Sequence, residues 1–131
     1  MNKNILLLQH KFKNYAIDLY SKLNYNNLME IAETSIFTKK ITEILTDDEY
    51  KEFQNFLVSN PKKGDIIKGS GGLRKIRWKL KGRGKRGGIR NIYYYYEEES
   101  LILMIYVYEK NKAENLTPKQ IEILRKSFME D

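Results

Sequence analysis

Lysine, arginine and tyrosine are the residues whose types and spacing could do chemistry in this 131-residue sequence, and they crowd into one stretch. Residues 62–90 hold twelve basic side chains against a single acid, Asp65, a net +11, so the other 102 residues sum to −4. All eight glycines lie in the same window. The most cationic backbone is therefore also the one that can turn tightly and approach a ligand closely. A charge run is ordinarily a solvated face. This one has almost no interspersed acids, so it repels itself and weakens the fold unless a counter-charge arrives, which points to a phosphate-binding surface. The run Tyr93-Tyr94-Tyr95-Tyr96 follows it. On a strand it sends two rings to each face, one pair for the core and one free to stack on bases, and a basic aromatic face of that kind suits single-stranded or loop RNA.

Binding alone would explain that surface. Cleaving a phosphodiester without a metal needs more: a base for the 2′-hydroxyl proton, cations for the added charge on phosphorus, and an acid for the leaving 5′ oxygen. The sequence has one histidine, His10, and no cysteine. A pair of imidazoles, a thiol nucleophile, an iron–sulfur cluster and a cysteine zinc site are all excluded. Lysine and tyrosine remain as proton carriers. Crowded cations disfavour one another's charge, so a lysine row can move protons or serve as an ordinary protonated clamp, and both readings stand. Asp47-Asp48-Glu49 reads as first-turn helix acids and not as metal ligands. Gly82-Arg83-Gly84-Lys85-Arg86-Gly87 fits GxGxxG, but it leads from one strand to another, so it reads as a basic hairpin loop and not a dinucleotide site. No metal or organic cofactor is expected.

The elements that must position these residues follow from periodicity. The length suits one domain. No apolar run nears the ~18 residues of a membrane span, and the lack of cysteine fits a reducing compartment, so the expected location is the cytoplasm. Residues 1–28 carry Ile5, Leu8, Phe12, Tyr15, Leu19 and Leu23 at helical spacing, predicting an amphipathic helical extension ahead of a main domain over 29–131. Ile31 to Ser35 is expected as a short edge strand and Phe37 to Leu45 as a short helix. Thr46-Asp47-Asp48-Glu49 is a capping box opening a helix that ends before Asn60-Pro61. Three strand-like runs follow, Lys75 to Lys81, Ile89 to Glu97 and Leu101 to Tyr108, with short connectors that favour antiparallel pairing. In the first, Ile76, Trp78 and Leu80 face one side and Lys75, Arg77, Lys79 and Lys81 the other. Thr117-Pro118-Lys119-Gln120 is a second capping box, opening a helix through Ile121, Leu124 and Phe128. The class is α+β.

Taken in order, Gly71-Gly72-Leu73-Arg74-Lys75-Ile76-Arg77, Gly84-Lys85-Arg86-Gly87-Gly88, Arg90 with Ile92-Tyr93-Tyr94, and Tyr108 with Lys110-Asn111 resemble the HigB branch of the RelE/ParE toxin superfamily. The resemblance spans about residues 30 to 129. It implies a small antiparallel sheet with N-terminal helices on one face and a C-terminal helix. It also implies a type II toxin–antitoxin toxin that cuts mRNA in the ribosomal A site, neutralised by a cognate antitoxin, usually of helix-turn-helix type. By position it implies that Arg90 stabilises the transition state and that Lys79, Lys81 and Lys85 serve catalysis and RNA clamping, with Tyr108 and Lys110 closing the site. Arg74, Lys75, Arg77, Arg83, Arg86 and Tyr94 fall in the RNA-binding region. Arg83 stands where lysine is common, Glu109 puts a negative charge where a small residue is usual, and Asn111 stands where some relatives carry arginine. Two other readings use the same cations: a non-catalytic RNA- or ribosome-binding module, and a ParE-like toxin that acts on DNA gyrase.

Overall fold

A computed structural model describes residues 17–23, 28–80, 88–112 and 116–128. Strands β1 (Ile17–Leu23) and β2 (Leu28–Thr34) lead into helices α1 (Ser35–Ile44) and α2 (Asp47–Ser59). Then come β3 (Asp65–Ile66), β4 (Arg74–Lys79), β5 (Gly88–Tyr96), a 3-10 turn over Glu97–Glu99, β6 (Leu101–Glu109) and α3 (Pro118–Phe128). They form one six-stranded sheet in the order β1-β2-β6-β5-β4-β3. No helix among the described residues is long and apolar enough to cross a membrane.

Three sequence expectations change. Within the helix expected over residues 1–28, Ile17–Leu23 is a strand, antiparallel to β2 from Ile17↔Thr34 to Leu23↔Leu28; residues 1–16 and 24–27 lie outside the described residues. In sequence Ile17, Leu19 and Leu23 satisfy a period of two as well as a helical one, and pairing with β2 decides between them. That pairing makes β2 an interior strand, not an edge. The sheet is also mixed and not wholly antiparallel, because β2 runs parallel to β6 from Glu30↔Leu101 to Glu33↔Met104. The two helices and three strands between β2 and β6 supply the long connection that parallel pairing needs.

Both faces of the sheet carry core. Phe37 and Ile41 of α1 and Phe53 and Leu57 of α2 pack on Ile31, Ile76, Tyr93, Ile102 and Val107. On the opposite face Ala32, Leu73, Ile92, Leu101, Leu103 and Ile105 are covered by Leu116 and by Leu124 of α3. Both capping boxes form. Thr46 Oγ1 accepts from Glu49 N at 3.2 Å while Thr46 N donates to Glu49 Oε1 at 2.9 Å. Thr117 and Gln120 repeat the exchange at 3.1 and 2.8 Å. Thr34 caps α1 by accepting from Phe37 N at 3.1 Å and donates to the Ile105 carbonyl at 2.8 Å, fixing the point where β2 leaves β6. Buried Glu33 accepts from the Tyr50 hydroxyl and from Thr38 Oγ1, joining both helices to β2.

The loop between α2 and β4 is tied down by two side chains. Tyr93 donates its hydroxyl to the Pro61 carbonyl at 2.8 Å and accepts from Gly64 N at 2.9 Å. A Cβ on Gly64 would stand 2.8 Å from that ring, so only glycine admits the contact. Arg74 Nη1 donates to the carbonyls of Lys62 at 3.2 Å and Gly64 at 2.7 Å. Tyr93→Phe leaves the buried Gly64 N–H without an acceptor and is expected to cost about 1–3 kcal/mol. The readout is a lower urea midpoint at unchanged slope. Tyr95→Phe is the control, because that hydroxyl makes no hydrogen bond among the described residues and its loss is expected to move the midpoint less.

Candidate nucleic-acid interface

Cross-strand register assembles the site. In β4 the odd-numbered residues Lys75, Arg77 and Lys79 leave one face of the sheet, while Ile76 and Trp78 pack against the helices on the other. Arg77 lies opposite Arg90 of β5, and Arg90 lies opposite Tyr108 of β6. Directly opposed residues stand about 4.5–5.5 Å apart at Cβ, so Arg77, Arg90 and Tyr108 form one continuous row. Lys75, Ile92 and Tyr106 make the row beside it. On the other side Lys79 opposes Gly88, whose carbonyl accepts from Lys110 N at 3.1 Å. Five of the residues singled out in the sequence, Lys75, Arg77, Lys79, Arg90 and Tyr108, thus meet on three strands, with Lys110 just past the end of β6.

A bulge in β6 makes this row possible. The register passes from Ile92↔Tyr106 to Tyr93↔Met104, so Ile105 has no opposite number. Leu101, Leu103 and Ile105 share the second core, and Tyr106 joins them on that face while Val107 turns to the helices. The extra residue therefore re-aims everything after it. Tyr108 lands beside Arg90, and Glu109 goes to the face opposite the row. Its negative charge nevertheless stays near the Tyr108 end of the site: Glu109 lines a cavity of about 410 Å³ together with Tyr106, Tyr108, Lys40, Glu43 and Lys112.

Burial sets the electrostatics of the row. Arg90 is 8% exposed and Tyr108 7%, whereas Arg77 and Lys79 are open to solvent. The only hydrogen bond of the Arg90 guanidinium among the described residues is a long one, 3.4 Å, from Nη1 to the Ile89 carbonyl. A buried cation so poorly partnered carries an unmet demand for an anion. The Tyr108 hydroxyl is buried with no hydrogen-bond partner among the described residues. Burial pushes its pKa up, Arg90 and Arg77 pull it down, Tyr106 pushes it up, and the net direction is upward. The phenol stays protonated, a free O–H donor next to two guanidinium groups. Gly88 adjoins them, and a Cβ there would make only ordinary contacts, 3.9 Å from Arg90 Nη1 and 3.4 Å from the Trp78 carbonyl.

Other sequence-predicted residues fall elsewhere. Arg74 shares the helix-side face with Ile76 and Trp78 and serves the loop contacts described above, so it is not part of the row. Tyr94 lies on the row's face but four residues along β5 from Arg90, about 13 Å at strand rise. Its ring meets Tyr96 edge-on at 4.5 Å and lies 3.0 Å from a Cβ built on Gly72, which has φ +113°. It packs the second core and is not a free stacking platform. Lys81, Arg83, Lys85 and Arg86 lie outside the described residues. Among the described residues, no three His, Asp or Glu side chains converge as metal ligands.

The structure adds a feature that sequence reasoning missed. A cavity of about 580 Å³ runs along the outer side of β4, where Lys63 and Lys68 join Lys75 and Arg77 around an apolar wall of Phe56, Ile66 and Trp78. Lys63 and Lys68 belong to the basic window, but nothing in their spacing tied them to Trp78.

A family model described as the RelE toxin of the RelE/RelB toxin–antitoxin system matches residues 29–129. Among solved structures, the chain is similar to one in the intact E. coli RelBE toxin–antitoxin complex, with a TM-score of 0.47 and 19% identity over 65% of this chain and 96% of that one.

The raised pKa values of Tyr93, Tyr96 and Tyr108 have a common first cause, burial. A phenol whose folded pKa exceeds its unfolded value stabilises the fold fully below about pH 10 and loses that contribution as pH rises through the folded value. The urea midpoint is expected to hold from neutral pH to about 9 and to fall above 10. Tyr108→Phe is expected to make that alkaline fall shallower and to leave the tyrosinate absorbance that develops below pH 10 unchanged.

Proposed function

The chain belongs to the RelE toxin family, and on that premise we propose that it is a ribosome-dependent mRNA interferase, an endoribonuclease cutting mRNA in the A site by attack of the substrate's own 2′-hydroxyl. The row Arg77–Arg90–Tyr108 is the observation that carries this reading. It offers two guanidinium groups, one of them buried, next to a protonated phenol, and among the described residues the buried guanidinium has one long hydrogen bond and the phenol none.

In the proposed reaction a base takes the 2′-hydroxyl proton and O2′ attacks phosphorus. The O2′–P bond forms, the phosphorane gathers added negative charge, and the P–O5′ bond breaks. The products are a 2′,3′-cyclic phosphate and a 5′-hydroxyl. Arg90 and Arg77 stabilise the phosphorane, and Tyr108 gives its proton to the departing O5′. A lysine among Lys79, Lys81, Lys85 and Lys110 takes the 2′ proton, and the others hold flanking phosphates with Lys75, Arg83 and Arg86. Arg74 and Tyr94 serve the fold. No step calls for a metal, because the nucleophile is supplied by the substrate. We further propose that residues 29–131 form the toxin domain, that the protein acts in the cytoplasm, and that a cognate antitoxin, of helix-turn-helix type, neutralises it.

Primer extension on mRNA in a translating reaction tests this. The wild-type chain is expected to give 3′-truncated messages. Arg77→Ala, Arg90→Lys and Tyr108→Phe are each expected to slow cleavage by about 10²-fold or more, the usual loss when one transition-state donor is removed. Arg77 is exposed, so its truncation leaves the core intact. Intact mRNA with the chain sedimenting on ribosomes would instead identify a non-catalytic binder, and intact mRNA with broken DNA a gyrase poison.

A further inference from the structure

β3 pairs with β4 only at Asp65↔Lys75 and Ile66↔Arg74, and among the described residues no strand pairs with residues 76–79 of β4 on their outer side. The direction of the backbone groups there is fixed by the ladder. Ile67 N donates to the Leu73 carbonyl at 2.8 Å, so Leu73 faces β3, and groups alternate sides along a strand. Arg77 and Lys79 therefore aim their N–H and C=O outward, with no backbone partner on that side among the described residues. This open stretch borders the 580 Å³ cavity, whose lining has four cations, Lys63, Lys68, Lys75 and Arg77, against one acid, Asp65, beside the apolar Phe56, Ile66 and Trp78. Ile66 is 60% exposed.

We infer that this edge docks an extended acidic segment of a partner protein, which adds to the sheet as a seventh strand beside β4. Three features select that occupant. Outward N–H and C=O groups together match a strand, whereas a phosphate chain can accept from the N–H groups but has no row of donors for the carbonyls. The cavity pairs an apolar wall with a cationic rim, matching the apolar-and-charged alternation of a strand whose charged residues are acidic. A second copy of this chain would set Lys75, Arg77 and Lys79 against their own like charges, the usual guard against edge-to-edge pairing. The residue placed opposite Arg77 would share its face, so an acid there would neutralise one end of the arginine row. The docking itself rests on the ladder and the cavity, not on the cleavage reading.

Trp78 is the only tryptophan and lines the cavity, so its fluorescence reports occupancy. The experiment titrates the full chain with a six-residue blocked peptide of alternating glutamate and valine. The same peptide is also N-methylated on its odd or on its even residues, which removes the hydrogen-bond donors of one strand edge at a time. A saturable change is expected with the parent peptide, kept by one methylated isomer and lost by the other. Lys63→Glu with Lys68→Glu, both exposed positions, is expected to weaken it about tenfold or more. The inference is overturned if no saturable change occurs, if both isomers bind alike, if a lysine–valine peptide binds as well, or if oligouridylate saturates Trp78 while the acidic peptide does not.

Discussion

A regular pleated strand sends consecutive side chains to opposite faces unless a bulge intervenes, and this constraint organises the sheet. In β4 it separates Lys75, Arg77 and Lys79 from Ile76 and Trp78, so one strand both builds the core and carries the cations. A one-residue slip would bury the lysines and expose the tryptophan, which makes the register strongly specified. Tyr93, Arg74 and the glycine at 64 hold that register from the loop side. The bulge at Ile105 then decides what meets Arg90. Without it Val107 would stand in the row and Tyr108 would face the helices, so a single extra residue separates an apolar neighbour from a phenolic one.

Placing like charges in one row works against stability, and the fold offsets this by building core on both faces of the sheet. The helix-side cluster centres on Phe37, Phe53 and Tyr93, and the second on Leu101, Leu103 and Ile105 under Leu124. Each apolar side chain buried there contributes roughly 1.5–3 kcal/mol. A mildly repulsive surface of a few cations can be carried by a core of that size. The C-terminal helix packs Leu124 on the second core, and its Gln120 lines one cavity with Tyr106 and Tyr108, so the covering helix reaches the Tyr108 end of the row.

What could be read from the sequence was whatever depends on neighbours in the chain. The capping boxes at Thr46 and Thr117 are local hydrogen-bond exchanges, and both form as written. The alternation in β4 is equally local, and it separates Ile76 and Trp78 from Lys75, Arg77 and Lys79; Arg74 stood outside the expected strand, so only the family resemblance spoke for it. The features that escaped are tertiary. Ile17–Leu23 satisfies two periods, and only the β2 edge selects the strand. Parallel pairing of β2 with β6 depends on strand order, which no local window contains. Nothing in Leu101–Glu109 marks Ile105 as the bulged residue, so the fates of Tyr108 and Glu109 could not be assigned from their spacing.

Burial of Arg90 and Tyr108 has opposite effects in the free and the occupied site. In the free protein a desolvated guanidinium with one long hydrogen bond is a cost that the surrounding packing must carry. Once an anion arrives the same low polarizability strengthens its attraction to Arg90, because charge interactions weaken less there than in water. The phenol follows the same logic. Burial opposes its ionisation more than the neighbouring arginines favour it, so the O–H survives in a cationic setting that would otherwise release the proton. Exposed Arg77 differs: it costs little when empty and its field is screened by salt, so it would attract an anion from solution, whereas Arg90 and Tyr108 would act only on one that reached them.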